Sequence, residues 1–183
     1  MYVIRIEELN EENLNEFLDY LSVHLSENGD NNFFFLPLSK EQSKFTDEWE
    51  EKFRNGFNKK RNEMGWRKLW VAMNPDDRII GHIDIRIRKE PNTPHRVVLG
   101  MGTDRNFRNL KIGQRLLHFV IDYCKNDPKI SWLDLDVLGS NSPAIRVYQK
   151  LGFQLLSDVP DMFRIEGKSY GYKSMTLNVD TEL

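Results

Sequence analysis

Three basic side chains surround one glycine in RNLKIGQRLL, residues 108–117: Arg108, Lys111 and Arg115 about Gly113. An apolar helical pattern starts at the same point, so the stretch reads as a cationic helix opening. A helix start exposes backbone N–H groups that lack acceptors within the helix. Its aligned peptide dipoles place about half a positive charge there. A diphosphate answers both features, and Gly113 permits a close approach. No Gly-Lys-Ser/Thr follows, so this is not a P-loop, and the glycine triplet of a dinucleotide fingerprint is missing. On these residues alone a solvated basic helix start is the commoner outcome. The preceding strand VVLGMGT adds a second signal. Gly100 and Gly102 lie two apart on one face, and glycine weakens a strand unless something approaches closely or the strand bulges. The pair reads as a bare backbone strip leading to the basic turn, or as packing against a large neighbour.

The elements that must position these residues follow from periodicity. Residues 2–6 (YVIRI) alternate as a strand. Leu14, Phe17, Leu18, Leu21 and Leu25 recur at helical spacing over 11–26. Residues 28–38 are a loop carrying Phe33, Phe34 and Phe35. Ser39 then starts a second helix, with Gln42 completing a capping box and Phe45, Trp49, Phe53 and Phe57 as its stripe. From Trp66 the period becomes two: strands at 66–73, 79–88 and 97–103 are joined by NPDDR and KEPNTPH. A helix runs from Lys111–Gly113 to about Lys125, with Gln114, Arg115, His118, Asp122 and Lys125 on its polar face. A strand at 131–137 and a short helix at 142–151 come next, the helix bracketed by Pro143 and Gly152. Two strands about Glu166–Gly167 fill 153–179. The expected whole is one α/β domain over residues 1–183, a mixed sheet with helices on both faces.

The bulk numbers narrow the class. The 183 residues carry a net charge of -2, with 39% hydrophobic and 30% charged residues, which argues against a nucleic-acid protein. The basic run Lys59, Lys60, Arg61, Arg67 and Lys68 is the one feature that favours it. One cysteine, Cys124, excludes an internal disulfide and fits a reducing compartment. MYVIRIEELNEEN lacks the layout of a signal peptide, and no apolar run is long enough to span a bilayer. A cytoplasmic monomer or homodimer, away from membranes, is the expectation. No Cys/His cluster has metal-ligand spacing, so no metal is expected.

A second motif, NSPAIRVYQKLGF (residues 141–153), joins the first. Together they resemble the GNAT superfamily of acyl-CoA-dependent N-acyltransferases. Arg108, Lys111 and Gly113 match the three fixed positions of that family's Arg/Gln-x-x-Gly-x-Gly/Ala loop. Asn141, Ala144, Tyr148, Gly152 and Phe153 match its Asn…Ala…Tyr…Gly-Phe element. The resemblance implies a central, mostly antiparallel twisted sheet of about seven strands flanked by four helices. It also implies acetyl-CoA as cosubstrate. Its diphosphate would sit on the amides of Arg108, Asn109, Leu110, Lys111, Ile112, Gly113 and Gln114; its pantetheine arm would pair with Met101 and Thr103 and bond to Asn141. Tyr148 would face the thioester sulfur. Two positions depart from the pattern: Lys111 stands where a glycine is usual, and Arg105 where a proline is common. Lysine is penalised at position 111 if the turn needs a positive φ.

The implied reaction is direct attack of a primary amine on the acetyl thioester. An alkylammonium has a pKa near ~10.4, so freeing the amine at pH 7 costs roughly 4–5 kcal/mol. Desolvation or a base must supply that. Tyr148 is the expected general acid for the departing thiolate. Strand alternation puts His82, Asp84, Arg86 and Arg88 on one face, and Asp134 with Asp136 on another beside Trp132. Asp84 and Asp134 lead as base candidates; each also reads as a salt-bridged strand residue. His24, His95 and His118 read as surface residues by their neighbours. Phe33–Phe35 and the acidic residues Asp47, Glu48, Glu50 and Glu51 would shape the acceptor mouth, or serve as core and solvated helix. The amine acceptor is a small molecule or a protein amine; an acyl-CoA-binding sensor or a catalytically silent module on the same fold is the alternative function.

Overall fold

A computed structural model describes residues 2–180. Its strands are β1 (Arg5–Glu8), β2 (Arg67–Met73), β3 (Ile79–Ile87), β4 (Arg96–Thr103), β5 (Trp132–Leu138), β6 (Gln154–Ile165) and β7 (Lys168–Asn178). Its helices are α1 (Leu14–Ser26), α2 (Asp47–Phe57), α3 (Ile112–Lys125) and α4 (Ser142–Lys150). All seven strands join one sheet in the order β1-β2-β3-β4-β5-β7-β6. Every neighbouring pair is antiparallel except β4 with β5.

β2 explains why helices cover both faces. Five consecutive residues, Leu69 to Met73, are buried, as a strand with no solvent face requires. Trp70 and Ala72 enter the core formed with α3, while Leu69, Val71 and Met73 enter the one formed with α1 and α2. The α1 stripe of Leu14, Phe17, Leu18, Leu21 and Leu25 is buried throughout.

The second helix and the first strand start later than the sequence reading places them. The Ser39–Gln42 box does form: the Ser39 amide donates to Gln42 Oε1 (3.1 Å) and the Gln42 amide to Ser39 Oγ (3.3 Å). It closes only one 3-10 turn, Glu41–Ser43, after which Lys44 is extended and α2 begins afresh at Asp47. The cause is tertiary. Fully buried Asn28 donates to Ser43 Oγ (2.7 Å) and the Leu38 carbonyl (2.8 Å), and accepts from the amides of Phe35 and Leu36. That knot holds the segment in a loop conformation. The first strand pairs from Arg5 rather than residue 2, because its partner β2 ends at Met73. Ahead of the ladder, the carbonyls of Tyr2 and Ile4 are taken up by Arg115.

Candidate active site

The parallel ladder between β4 and β5 lasts for three positions, Arg96–Val98 against Trp132–Asp134. Beyond it β5 goes on pairing with β7 as far as Leu138, and β4 with β3 as far as Thr103. The facing edges of Leu99–Thr103 and Leu135–Leu138 therefore part, leaving β4 backbone groups free for an added strand. A cleft of about 1460 Å³ opens there, lined by Met101, Thr103, Asn141 and Tyr148 among others. It exceeds the roughly 300–1,000 Å³ of an ordinary small-molecule pocket, so two substrates can share it.

The basic turn lies at one end of this cleft. Lys111 sits at φ +63°, ψ +16°, and Asn109 at φ +65°; lysine thus occupies the left-handed conformation that favours glycine. Among the described residues, none of the amides from Arg108 to Gln114 has a protein acceptor. The segment is a row of free donors at the start of a 14-residue helix. Ile112 is buried and anchors the turn, while Leu110 is exposed. Gly113 brings α3 close to β4, since a Cβ there would meet Met101 Cε at 3.1 Å. The charges are arranged differently from the sequence reading. Arg115 holds the segment ahead of β1 through the Tyr2 and Ile4 carbonyls (2.9 and 3.3 Å). The Arg108 guanidinium lies 3.7 Å from the Phe33 ring centre and 3.9 Å from Glu27. Lys111 is exposed, with no ionic partner among the described residues.

Across the cleft, Asn141 caps α4, its Oδ1 accepting from the Ala144 amide (3.3 Å). Its side-chain NH2 has no acceptor among the described residues. Gly152 (φ +93°) ends the helix, and buried Phe153 packs against Tyr148 with ring centres 5.7 Å apart. Tyr148 is buried, and burial pushes its phenol up to about 12. Burial of this kind keeps a phenol in its neutral, proton-bearing form.

The other wall is where the sequence reading changes most. Gly100 and Gly102 do not leave a bare strip. A Cβ at Gly102 would lie 2.5 Å from His24 Nε2 and 2.7 Å from His82 Cε1; one at Gly100 would lie 2.6 Å from Asp84 Oδ1 and 2.9 Å from Arg86 Nη1. The glycines make room for polar side chains. His24, expected at the surface, is only 3% exposed, stacked on Tyr20 and edge-on to Phe35. Burial first, then the Arg108 charge, lowers its pKa to about 4, and its Nε2 has no hydrogen-bond partner. His82 Nδ1 lies 3.3 Å from the Tyr20 hydroxyl, and burial holds His82 well below the usual imidazole range. Periodicity could not place His24 inside, because a polar residue on a helix face reads as outward; alternation had put His82 on the face of β3 that carries Asp84 and Arg86.

The two candidate carboxylates separate. Asp84 is buried, lines the cleft, and meets Arg86 Nη1 at 3.2 Å and Arg67 Nη1 at 3.5 Å. Asp134 sits at the closed end, where β4 and β5 still pair. Arg96 grips it bidentately (2.6 and 2.9 Å), and Arg88 (2.9 Å) and Thr176 (2.6 Å) add to the grip. Burial raises its pKa, but these four hydrogen bonds outweigh burial and hold it below the usual range. It is not among the residues lining the cleft. Asp136 is exposed and accepts from Ser174 Oγ (2.5 Å). Phe33 and Phe35 serve Arg108 and His24, while Phe34 packs on Tyr170. Glu48 and Glu50 pair with Lys52 and Arg54 along α2. The basic run 59–68 is dispersed: Arg61 pairs with Asp127, Lys68 with Glu8, and Arg67 turns inward to Asp84. No helix among the described residues is long and apolar enough to cross a membrane.

Known proteins resemble this chain in sequence and in fold. The family model described as "Acetyltransferase (GNAT) family" matches residues 33–153. An L-amino acid N-acetyltransferase of Escherichia coli is 30% identical over 91 residues, 50% of this chain and 55% of that protein. The catalytic subunit of an N-terminal acetyltransferase B complex from Arabidopsis thaliana is 29% identical over 83 residues, 45% of this chain and 48% of that one. The chain thus spans about half the length of the curated relatives it matches. A GNAT-family acetyltransferase structure from Streptococcus pneumoniae superimposes with a TM-score of 0.79 at 22% identity, covering 96% of this chain and 99% of the other. At that identity the likeness speaks for the fold. With the family model spanning both motifs and the sheet that splays between them, the chain belongs to the GNAT family of acetyltransferases.

Proposed function

We propose that this protein moves an acetyl group from acetyl-CoA to a primary amine by direct attack. The observation that carries the reading is the parting of β4 from β5 beside a row of unbonded amides, Arg108–Gln114, with Tyr148 at the same opening. Acetyl-CoA supplies the activated acetyl group. Its diphosphate would lie on the free amides of 108–114, with Lys111 as the nearby cation. Its pantetheine arm would pair with the free edge of Met101 and Thr103 and take a hydrogen bond from the Asn141 side-chain amide.

Asp84 is the carboxylate that faces the acceptor. Desolvation in the cleft favours the neutral amine over the ammonium. As the new C–N bond forms, the nitrogen's proton becomes strongly acidic, so a carboxylate suffices to receive it. A backbone N–H of the free β4 edge, at Met101, stabilises the developing oxyanion. Tyr148 donates a hydrogen bond to the sulfur. With the phenol near 12 and a thiol near ~8.5, complete proton transfer would be uphill by about 5 kcal/mol. Its contribution is therefore stabilisation of the growing thiolate, worth about 1.5–3 kcal/mol for a hydrogen bond to a charged group.

The test is Tyr148→Phe, read by thiol release on a broad amine panel and by calorimetry with acetyl-CoA. The expected result is a roughly 10- to 100-fold lower kcat with acetyl-CoA affinity retained. Unchanged turnover while chemistry limits the rate would remove Tyr148 from the reaction. A folded wild-type protein that takes up acetyl-CoA but releases no thiol with any amine would favour the sensor reading.

A further inference from the structure

Two guanidinium groups and one carboxylate stand together where β2 and β3 line the cleft. Asp84 Oδ2 lies 3.2 Å from Arg86 Nη1 and 3.5 Å from Arg67 Nη1. One negative charge between two positive ones leaves a net charge of +1. The group is tucked over Gly100 of β4, the strand that edges the opening. Nearby Arg88 is already matched by Glu90 and Asp134. Arg67 is the unusual member. Its side chain is only 13% exposed, its guanidinium lies 4.1 Å from the Phe53 ring centre, and among the described residues it makes no side-chain hydrogen bond. Burial, with Arg86 close by, pulls it below the usual arginine range. A guanidinium has five N–H donors in a fork that matches a carboxylate. Asp84 meets this fork only at 3.5 Å, so an incoming carboxylate can take up donors that Asp84 leaves free.

We propose that the acceptor is an amine that also carries a carboxylate, a free amino acid or a close analogue, with the carboxylate held by Arg67 and Arg86. The opposite charges of such a molecule match the site in order: the amine turns to Asp84 and the β4 edge, and the carboxylate to the guanidinium pair. An amine without an anion would leave the net +1 of this trio unanswered and add its own positive charge on entry. This inference rests on the acetyl-transfer reading above.

The experiment measures kcat/KM by thiol release for amino acids, their primary amides, the corresponding decarboxylated amines, and a short peptide amide with a free amino end. The wild-type protein should favour each acid over its amide by about 10- to 100-fold, as sites built around a charged partner do. Arg86→Gln, at a partly exposed position, should collapse that ratio towards one, and Arg67→Lys should lower it. Acetyl-CoA affinity, read by calorimetry on the same samples, should stay unchanged in both. Because Arg67 is buried, Arg86→Gln stands as the deciding variant if the other fails to fold. Amides, decarboxylated amines or the peptide being used as well as the acids would overturn the proposal while leaving acetyl transfer intact. So would an acid-to-amide ratio untouched by Arg86→Gln. Acetyl-CoA uptake with no turnover of any acid would also overturn it, whereas no uptake at all would strike the underlying reading instead.

Discussion

Lys111→Gly separates two effects that one residue combines. Lys111 holds φ +63° at the start of α3, a conformation that costs an L-residue about 1–2 kcal/mol. Glycine removes that strain but loses about 0.5–1 kcal/mol more backbone freedom on folding. The net expectation is a gain of about 0.5–1 kcal/mol, which for a chain of this size raises Tm by about 1–4 °C. The same change deletes an exposed cation beside the proposed diphosphate. Such a charge contributes about 0.4–1 kcal/mol, so acetyl-CoA should bind about 2- to 5-fold more weakly, and the difference should shrink in high salt. Lys111→Ala is the control: it loses the charge and keeps the strain. Calorimetric unfolding and acetyl-CoA titration on all three proteins give both readouts. A glycine variant no more stable than the alanine variant would refute the strain argument. Equal acetyl-CoA affinity in all three would refute the electrostatic one.

Asp134→Asn should destabilise the fold by about 2–4 kcal/mol, because it leaves Arg88 and Arg96 without their shared buried counter-charge. Turnover per folded molecule should hold; a large loss of kcat at unchanged Tm would return Asp134 to the chemistry. Stability should also fall in mild acid. His24 titrates near 4 when folded against 6.5 unfolded, so between those values the unfolded chain binds more protons and falling pH favours it. From pH 7.5 to pH 5 His24 alone removes about 2 kcal/mol, with His82 acting in the same direction. A Tm that is flat over that range would show that these imidazoles are not desolvated.

The short-range parts of this protein were legible in the chain. The turn at 108–114 is a local backbone feature, a row of amides without acceptors ahead of a helix, so spacing exposed it as a donor-rich helix start; the same holds for the Asn141 cap and the Gly152–Phe153 helix end. Alternation gave β2 and β3 to within a residue. The capping box at Ser39 was real but local, and Asn28, buried against Ser43, outweighed it. Arg115 looked like a phosphate ligand and instead holds the chain ahead of β1.

By itself the sequence determined the order of strands and helices, the donor-rich turn and the motif that ends in Gly152 and Phe153. Each depends on residues a few positions apart. Only the tertiary structure decided that β4 and β5 part after three pairs, that Gly100 and Gly102 admit side chains instead of a ligand, and that Arg67 and His24 join the face of β3 carrying His82, Asp84 and Arg86. Whether a polar residue faces water or a neighbour depends on what the rest of the chain packs against it. No local periodicity carries that information.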